Sequence, residues 1–307
     1  MAASIAGKEK IAAVCAYGSK VAGYARPNSD YDIVIVLKRF REGVRYRYID
    51  SPVETSALLV DEELLRQDAQ SSYLGEFVVG RLLNIYDPIQ NPELLRSVEL
   101  DYKKRVIIEA LLEISSDYGE FGKHIMVPYD YFLFDKLNRR AAVYPPALYS
   151  YVQTYSCPQA PENKAWSIDG FRAAARELEP RGFLLAGSEE VRIIPEKLKA
   201  DAFTKVQSLF SDTTRGVTQY AIHGYAGRVG LSVFRREAQS KLKRMRESPT
   251  PPQELTNPRS ILRLEEGVMI PSSSLLVKEL AHLLGFSNYS TEERDIGEPY
   301  STTRVLT

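Results

Sequence analysis

The chain of 307 residues is 44% hydrophobic and 26% charged, which excludes a disordered or fibrous protein and leaves room for a sizeable core in about two to three modules. Forty basic residues balance forty acidic ones, so nothing global recommends a polyanionic partner, and any basic patch must be local. No apolar run approaches the roughly 18 residues a membrane helix needs, MAASIAGKEKIAAVCAYGS lacks a convincing secretory segment, and Cys15 and Cys157 show no metal-type spacing, so a cytoplasmic protein with no membrane partner, disulfide framework or zinc site is expected.

The first ninety residues are patterned as an α+β module: the strands IAAVCAY, DIVIVL and VETSALLV, with the helical stretch DEELLRQDAQSSYLGEFVVGRLL behind them. At YDPIQNPELL the chain turns on Pro88 and Pro92, the second suited to a helix N-terminus. From there to Tyr155 it reads as helices, PELLRSVELDYKKRVIIEALLEIS, YDYFLFDKLNRRAAVY and PPALYSYVQTY. SIDGFRAAARELEPRGFLLAGSEEVRIIP then gives a helix, a Pro-Arg-Gly break and two short strands, the order of a winged-helix unit. The Pro-rich SPTPPQELTNP reads as a linker, followed by a strand in RSILRLEEGVMIP, an amphipathic helix in SSSLLVKELAHLLGF and a polar tail. The expected division is 1–90, 91–158, 159–248 and 249–307.

In AYGSKVAGYARPNSDYDIVIVL, Asp30 and Asp32 precede a buried strand at i and i+2, so their carboxylates point the same way. Two like charges held that close repel unless a cation lies between them, and their oxygens suit a hard ion such as Mg²⁺ or Mn²⁺ that keeps substrate phosphate among its ligands. Upstream, Gly18 lets the backbone approach a phosphate, while the Ser19 hydroxyl and the amides of a following helix N-terminus can donate to it.

Gly18-Ser19, Gly23, Ala25-Arg26-Pro27 and Ser29-Asp30-x-Asp32 resemble the signature of the DNA polymerase β-like nucleotidyltransferase superfamily, most closely its minimal and aminoglycoside-type members. The resemblance covers about residues 1–90, with the helical segment to about 155 following in outline. It implies a nucleotidyltransferase fold, a mixed sheet with helices, and transfer of a nucleoside monophosphate from an NTP, with ATP preferred, to a hydroxyl acceptor with release of pyrophosphate. It also implies that Asp30 and Asp32 hold two Mg²⁺ ions and that Gly18 and Ser19 hold the β- and γ-phosphates. A third carboxylate on a later strand, which would complete the catalytic metal's site and take the acceptor proton, maps to Glu54 in Val53-Glu54-Thr55; Asp50 and Asp61 lie nearby, but one sits in a turn and the other where a helix is capped.

Each residue also has a plainer reading. Ser-Asp-x-Asp can be a turn and a cap, Ser19 a turn serine, and Glu54 an exposed strand residue. Lys20 and Arg26 flank the motif and either touch phosphate or remain solvated, with Ser29 alongside them. His124, His223 and His282 are isolated and read as structural or surface. The tyrosines Tyr129, Tyr131, Tyr144, Tyr149, Tyr151 and Tyr155 read as core, although stacking on a nucleobase or a ring-bearing acceptor would use the same side chains. A basic stretch carries Arg235, Arg236, Lys241, Lys243, Arg244 and Arg246, behind Gly224, Gly227 and Gly230, whose spacing is not a dinucleotide-binding fingerprint.

The sequence therefore predicts an α+β nucleotidyltransferase domain, a helical domain and a winged-helix-like C-terminal part. The expected partners are an NTP and a hydroxyl acceptor, a small molecule or protein ahead of an RNA end, with at most weak nucleic-acid contact through 235–246. The rival reading is a nucleic-acid-binding or antitoxin-like regulatory protein that uses the transferase domain as a nucleotide-binding module.

Overall fold

The first ninety residues build a five-stranded sheet, in a computed structural model that describes residues 2–50, 53–198, 204–228, 236, 239–241, 243–246 and 248–265. A short helix α1 (Ala2–Ala6) leads into β1 (Lys10–Tyr17), β2 (Tyr31–Lys38), β3 (Val44–Ile49) and β4 (Thr55–Asp61). With β5 (Asp87–Gln90) they form a mixed sheet in the order β3-β4-β2-β1-β5, in which β2 and β4 run parallel and every other pair antiparallel. The central strands are apolar on both faces because both are covered. Ile33, Ile35, Leu37, Ala57 and Leu59 pack under α1, while Val34, Val36, Leu58 and Val60 join the large core on the opposite side. Asp32 shares the parity of Val34 and Val36, so the strand aims it at the face toward the helices.

The strand β4 runs directly into α2 (Glu62–Ser71), where Asp61 is the cap its position in the sequence suggested: its carboxylate accepts from the Glu63 and Leu64 amides. The helical stretch expected to continue to Leu83 stops at Ser71. Asp68, buried at the end of α2, draws the following backbone inward by accepting from the amides of Leu74, Glu76, Val78 and Val79 at 2.8 to 3.2 Å. Four backbone donors on one carboxylate outcompete helix continuation, and they wind residues 72–82 into turns, one of which, Val79–Arg81, is a single turn of 3₁₀ helix. Gly75 and Glu76 both have positive φ within it.

Pro92 stands at the start of α3 (Pro92–Tyr118), capped by the Asn91 side chain as it accepts from the Leu94 amide. This 27-residue helix is the axis of the second half, with α2, α4 (Tyr129–Val143), α6 (Ala160–Leu178) and α7 (Thr204–Gly227) against it. Gly170 lets α6 approach closely: a Cβ there would lie 2.2 Å from Glu99 Oε1. Below it, Glu99 and Lys103 form a buried ion pair at 2.7 Å, and the Lys103 ammonium also donates to the Ser167 carbonyl. Between α4 and α6 lies α5 (Leu148–Ser156).

Among the described residues of 159–248 no winged-helix unit is seen. The expected hairpin exists, as β7 (Leu184–Ala186) and β8 (Glu190–Ile193). It extends a small antiparallel sheet, β7-β8-β6-β9, through β6 (Ile125–Pro128) and β9 (Arg263–Leu264), while the preceding α6 belongs to the bundle around α3. The Pro-rich stretch ends in a short helix α8 (Gln253–Thr256), and the Asn138 side chain donates to the Leu255 carbonyl there. Of the strand expected in 259–271 only Arg263–Leu264 is found, because Pro258–Ile261 winds into a 3₁₀ turn before it; residues 266–271, the amphipathic helix and the tail lie outside the described residues. Both cysteines are free thiols, and no helix among the described residues is long and apolar enough to cross a membrane.

Two devices tie the halves together. Asn163, buried on α6, donates to the Ala22 and Thr154 carbonyls at 2.9 Å each, and Gln159 packs against Gly23, where φ is +80° and a Cβ would be 2.4 Å from the amide oxygen. On the other side, the buried Glu76 carboxylate receives Lys136 at 2.7 Å, Arg140 at 2.8 Å, Arg105 at 2.9 Å and the Tyr102 hydroxyl at 2.9 Å. Arg215 from α7 stands at 3.6 Å. Burial favours the protonated acid, but the four cations together outweigh it and hold Glu76 well below the usual carboxylate range.

Candidate functional site

A cleft of about 530 Å³ opens between the sheet and the helices. Gly18, Ser19, Asp30 and Asp32 line one wall, Ser56 and the β3 tyrosines Tyr46 and Tyr48 extend it, and Tyr149, Ser150 and Thr154 of α5 face them. The strand β1 ends at Tyr17, which pairs across the sheet with Asp32. The chain then makes a run of turns rather than the helix expected after Ser19, closed by the Ala22 amide on the Gly18 carbonyl and the Tyr24 amide on the Ser19 carbonyl, both at 3.0 Å.

Gly18 has φ +79°, and a Cβ there would lie 2.2 Å from Asp32 Oδ2. A glycine is therefore needed to seat the Asp32 carboxylate, whatever it does for a phosphate. Burial, reinforced by the charge of Asp30, pushes Asp32 up to about 7, although Arg81 and Lys241 pull the other way. Two partly buried carboxylates set side by side are a donor set that a hard divalent cation satisfies, so these residues fit Mg²⁺ or Mn²⁺.

The remaining expected residues are placed unevenly. Arg26 and Ser29 line the cleft mouth, where the Ser29 hydroxyl accepts from the Arg26 amide at 2.9 Å and fixes the turn before Asp30. Lys20 is not in the lining; its ammonium lies 4.4 Å from the centre of the Tyr31 ring. Glu54 is exposed and does not line the cleft either. Asp32 pairs with Ser56 on the parallel strand, so the register, continued one step outward, sets Asp30 beside Glu54 at the rim. Among the described residues no three His, Cys, Asp or Glu side chains are gathered for a metal ion.

Other cleft residues lack any motif in the sequence. Arg81, from the loop that Asp68 gathers, extends its guanidinium to the Tyr46 hydroxyl at 2.8 Å. His223 of α7 bonds through Nδ1 to the Tyr144 hydroxyl at 2.6 Å and packs with Tyr46 and Phe77. Burial lowers it to about 4, with Arg81 and Lys241 adding to the effect, so its imidazole is neutral at pH 7. Tyr24 is pushed up to about 12 by burial while it bonds Ser150 and Thr154.

The tyrosine cluster divides: Tyr129, Tyr131 and Tyr155 are core, whereas Tyr144, Tyr149 and Tyr151 reach the cleft. The basic stretch divides too. Lys241 and Arg244 line the cleft, Arg236, Lys243 and Arg246 are exposed, and Arg235 with Gly230 lies outside the described residues, as does His282. His124 faces Glu265 at 3.5 Å, away from the site.

Comparison with known families matches the model described as Polymerase beta, Nucleotidyltransferase over residues 2–86. A search of curated proteins returned no match to the chain. Residues 2–86 thus form a polymerase β-like nucleotidyltransferase domain, and the wall bearing Gly18, Ser19, Asp30 and Asp32 belongs to it.

Proposed function

We propose that this nucleotidyltransferase domain transfers a nucleoside monophosphate from an NTP, with ATP preferred, to a hydroxyl acceptor, releasing pyrophosphate. The observation that carries the reading is the Asp30 and Asp32 pair, seated against Gly18 and Ser19 in a cleft within a polymerase β-like domain. Asp30 and Asp32 would hold divalent cations, Mg²⁺ or Mn²⁺, which when bound neutralise triphosphate charge and lower the pKa of the acceptor hydroxyl. Ser19 donates its hydroxyl to the β- and γ-phosphates, and the Gly18 turn keeps Asp32 oriented toward them. Arg26 adds charge at the mouth beside the turn that Ser29 closes, while Lys20, on the outer side, reaches a phosphate only by leaving the Tyr31 ring. Glu54, at the rim beside Asp30, takes the acceptor proton as the hydroxyl attacks. The tyrosine-lined walls narrow the space for water and offer faces for a nucleobase or a ring-bearing acceptor.

The mouth is open and the lining mixed in character, which suits a small-molecule or protein hydroxyl, with Lys241 and Arg244 serving the cleft rather than a separate nucleic-acid surface. Incubation with each α-labelled triphosphate and a divalent metal against fractionated cell extract tests the reading. Label should move to one acceptor class, only with metal, and not with Asp30→Asn. Metal-independent transfer, or wild-type transfer by that variant, would refute it.

A further inference from the structure

Arg81 belongs to none of the motifs in the sequence, yet its side chain is set into the wall of the cleft. Its guanidinium lies 4.6 Å from the centre of the Phe77 ring and 5.4 Å from that of Tyr17. One terminal nitrogen donates to the Tyr46 hydroxyl at 2.8 Å and the guanidinium also bonds the Tyr17 hydroxyl, whereas Nε is buried with no hydrogen-bond partner. None of the ion pairs among the described residues involves Arg81, in contrast to Arg105, Arg140 and Arg215, which converge on Glu76. Aromatic faces compensate such a cation only in part, and an arginine held in this way is a ready receptor for an oxyanion.

The charge of the cleft points the same way. With Arg140 assigned to Glu76, the lining keeps Arg26, Arg81, Lys241 and Arg244 against Asp30 and Asp32. Divalent cations on the carboxylates would make it more positive still, so the ligand that balances it carries several negative charges. Arg81 stands over Tyr17, the residue before Gly18 and Ser19 and the cross-strand partner of Asp32, so its reach is to the phosphate end of the cleft. Its position is imposed from behind, since the Asp68 carboxylate fixes the amides of Val78 and Val79 just upstream.

We propose that Arg81 is a phosphate-binding residue of the cleft, its Nε and a free terminal N–H gripping the β- and γ-phosphates of the nucleotide and then the pyrophosphate product. The assignment rests on the nucleotidyltransfer reading. A lysine would keep the charge but lose the planar two-point grip.

Calorimetry with Mg-ATP and with magnesium pyrophosphate on the wild-type chain, Arg81→Met and Arg81→Lys tests it, with near-UV circular dichroism as the check on folding. Arg81→Met should bind both ligands at least tenfold more weakly, and Arg81→Lys about fivefold more weakly or worse. Binding of pyrophosphate within twofold of wild type by folded Arg81→Met overturns the proposal; if that variant does not fold, unchanged affinity in Arg81→Lys does so. Wild-type protein that binds pyrophosphate through Arg81 but no triphosphate would keep the anion site and sink the nucleotidyltransfer reading. Wild-type protein that binds neither overturns both.

Discussion

Replacing Asp32 with Asn should stabilise the metal-free protein while abolishing transfer, and the gain should depend on pH. Burial, with the charge of Asp30 behind it, moves Asp32 from an ordinary 3.8 to about 7. For a carboxyl raised in the folded state, stability is fully present below the unfolded value and is lost as pH rises through the folded one, here between about 4 and 7. At about 1.4 kcal/mol for each tenfold separation, the full loss corresponds to about 4 kcal/mol above pH 7. Water in the open cleft screens the charge and brings the expected value to about 2 kcal/mol. Asn has the same shape and cannot ionise, so the variant escapes this loss. In calorimetric melts with chelator present, the two proteins should melt together near pH 4, and the variant should melt several degrees higher at pH 8, at about 2–4 °C per kcal/mol. Saturating Mg²⁺ should close the gap by stabilising the wild type alone. A variant less stable than wild type at pH 8 without metal, or a gap unchanged between the two pH values, would refute the account of a carboxylate raised by burial and by its neighbour.

Three further substitutions probe how the site is held. Gly18→Ala forces a side chain onto a φ of +79° and toward Asp32 Oδ2, so we expect a stability loss of about 1–3 kcal/mol and no Mg²⁺-dependent ATP binding by calorimetry. Asp68→Ala strands four buried amides and should cost more than about 3 kcal/mol in urea unfolding, an effect that Asn, with one acceptor oxygen, relieves only in part. Asn163→Ala removes the donors to the Ala22 and Thr154 carbonyls; hydrogen exchange should quicken at the amides of Ala22 and Tyr24, with about 1–3 kcal/mol lost overall.

The parts of this molecule that were legible in the sequence are those encoded by neighbours. The β1 and β2 runs, the capping Asp61, Pro92 at the head of α3 and the Gly18-Ser19 to Asp30-x-Asp32 spacing all act over a few residues, and the structure has them where the sequence put them. Where a distant partner decides, local pattern failed. DEELLRQDAQSSYLGEFVVGRLL has helical periodicity throughout, yet Asp68 captures the following amides and ends the helix, and this is also what delivers Arg81. The edge strand β3 went unseen because VRYRYI alternates charged and aromatic residues, and β6 is too short for any period to register. His223 looked isolated because its partners, Tyr144 and Tyr46, lie roughly 80 and 180 residues away. The hairpin after α6 had the order of a wing, but strand order in sequence does not say which sheet a hairpin joins.

Glu76 sets a limit on how this chain can be divided. It lies within the segment that matches the transferase family, but all four cations that neutralise it come from beyond Tyr86, on α3, α4 and α7. Residues 2–86 cut free, or grafted onto another scaffold, would have to expose that carboxylate or bury it alone, at a cost of several kcal/mol against a typical total stability of about 5–15 kcal/mol. The apolar face behind Val34, Val36, Leu58 and Val60 would be stripped in the same cut. The segment that carries the family likeness is therefore not a transplantable cassette. Any change in the helices that weakens the hold on Glu76 would reach the loop carrying Arg81, and with it the width of the cleft, without touching a residue of the match.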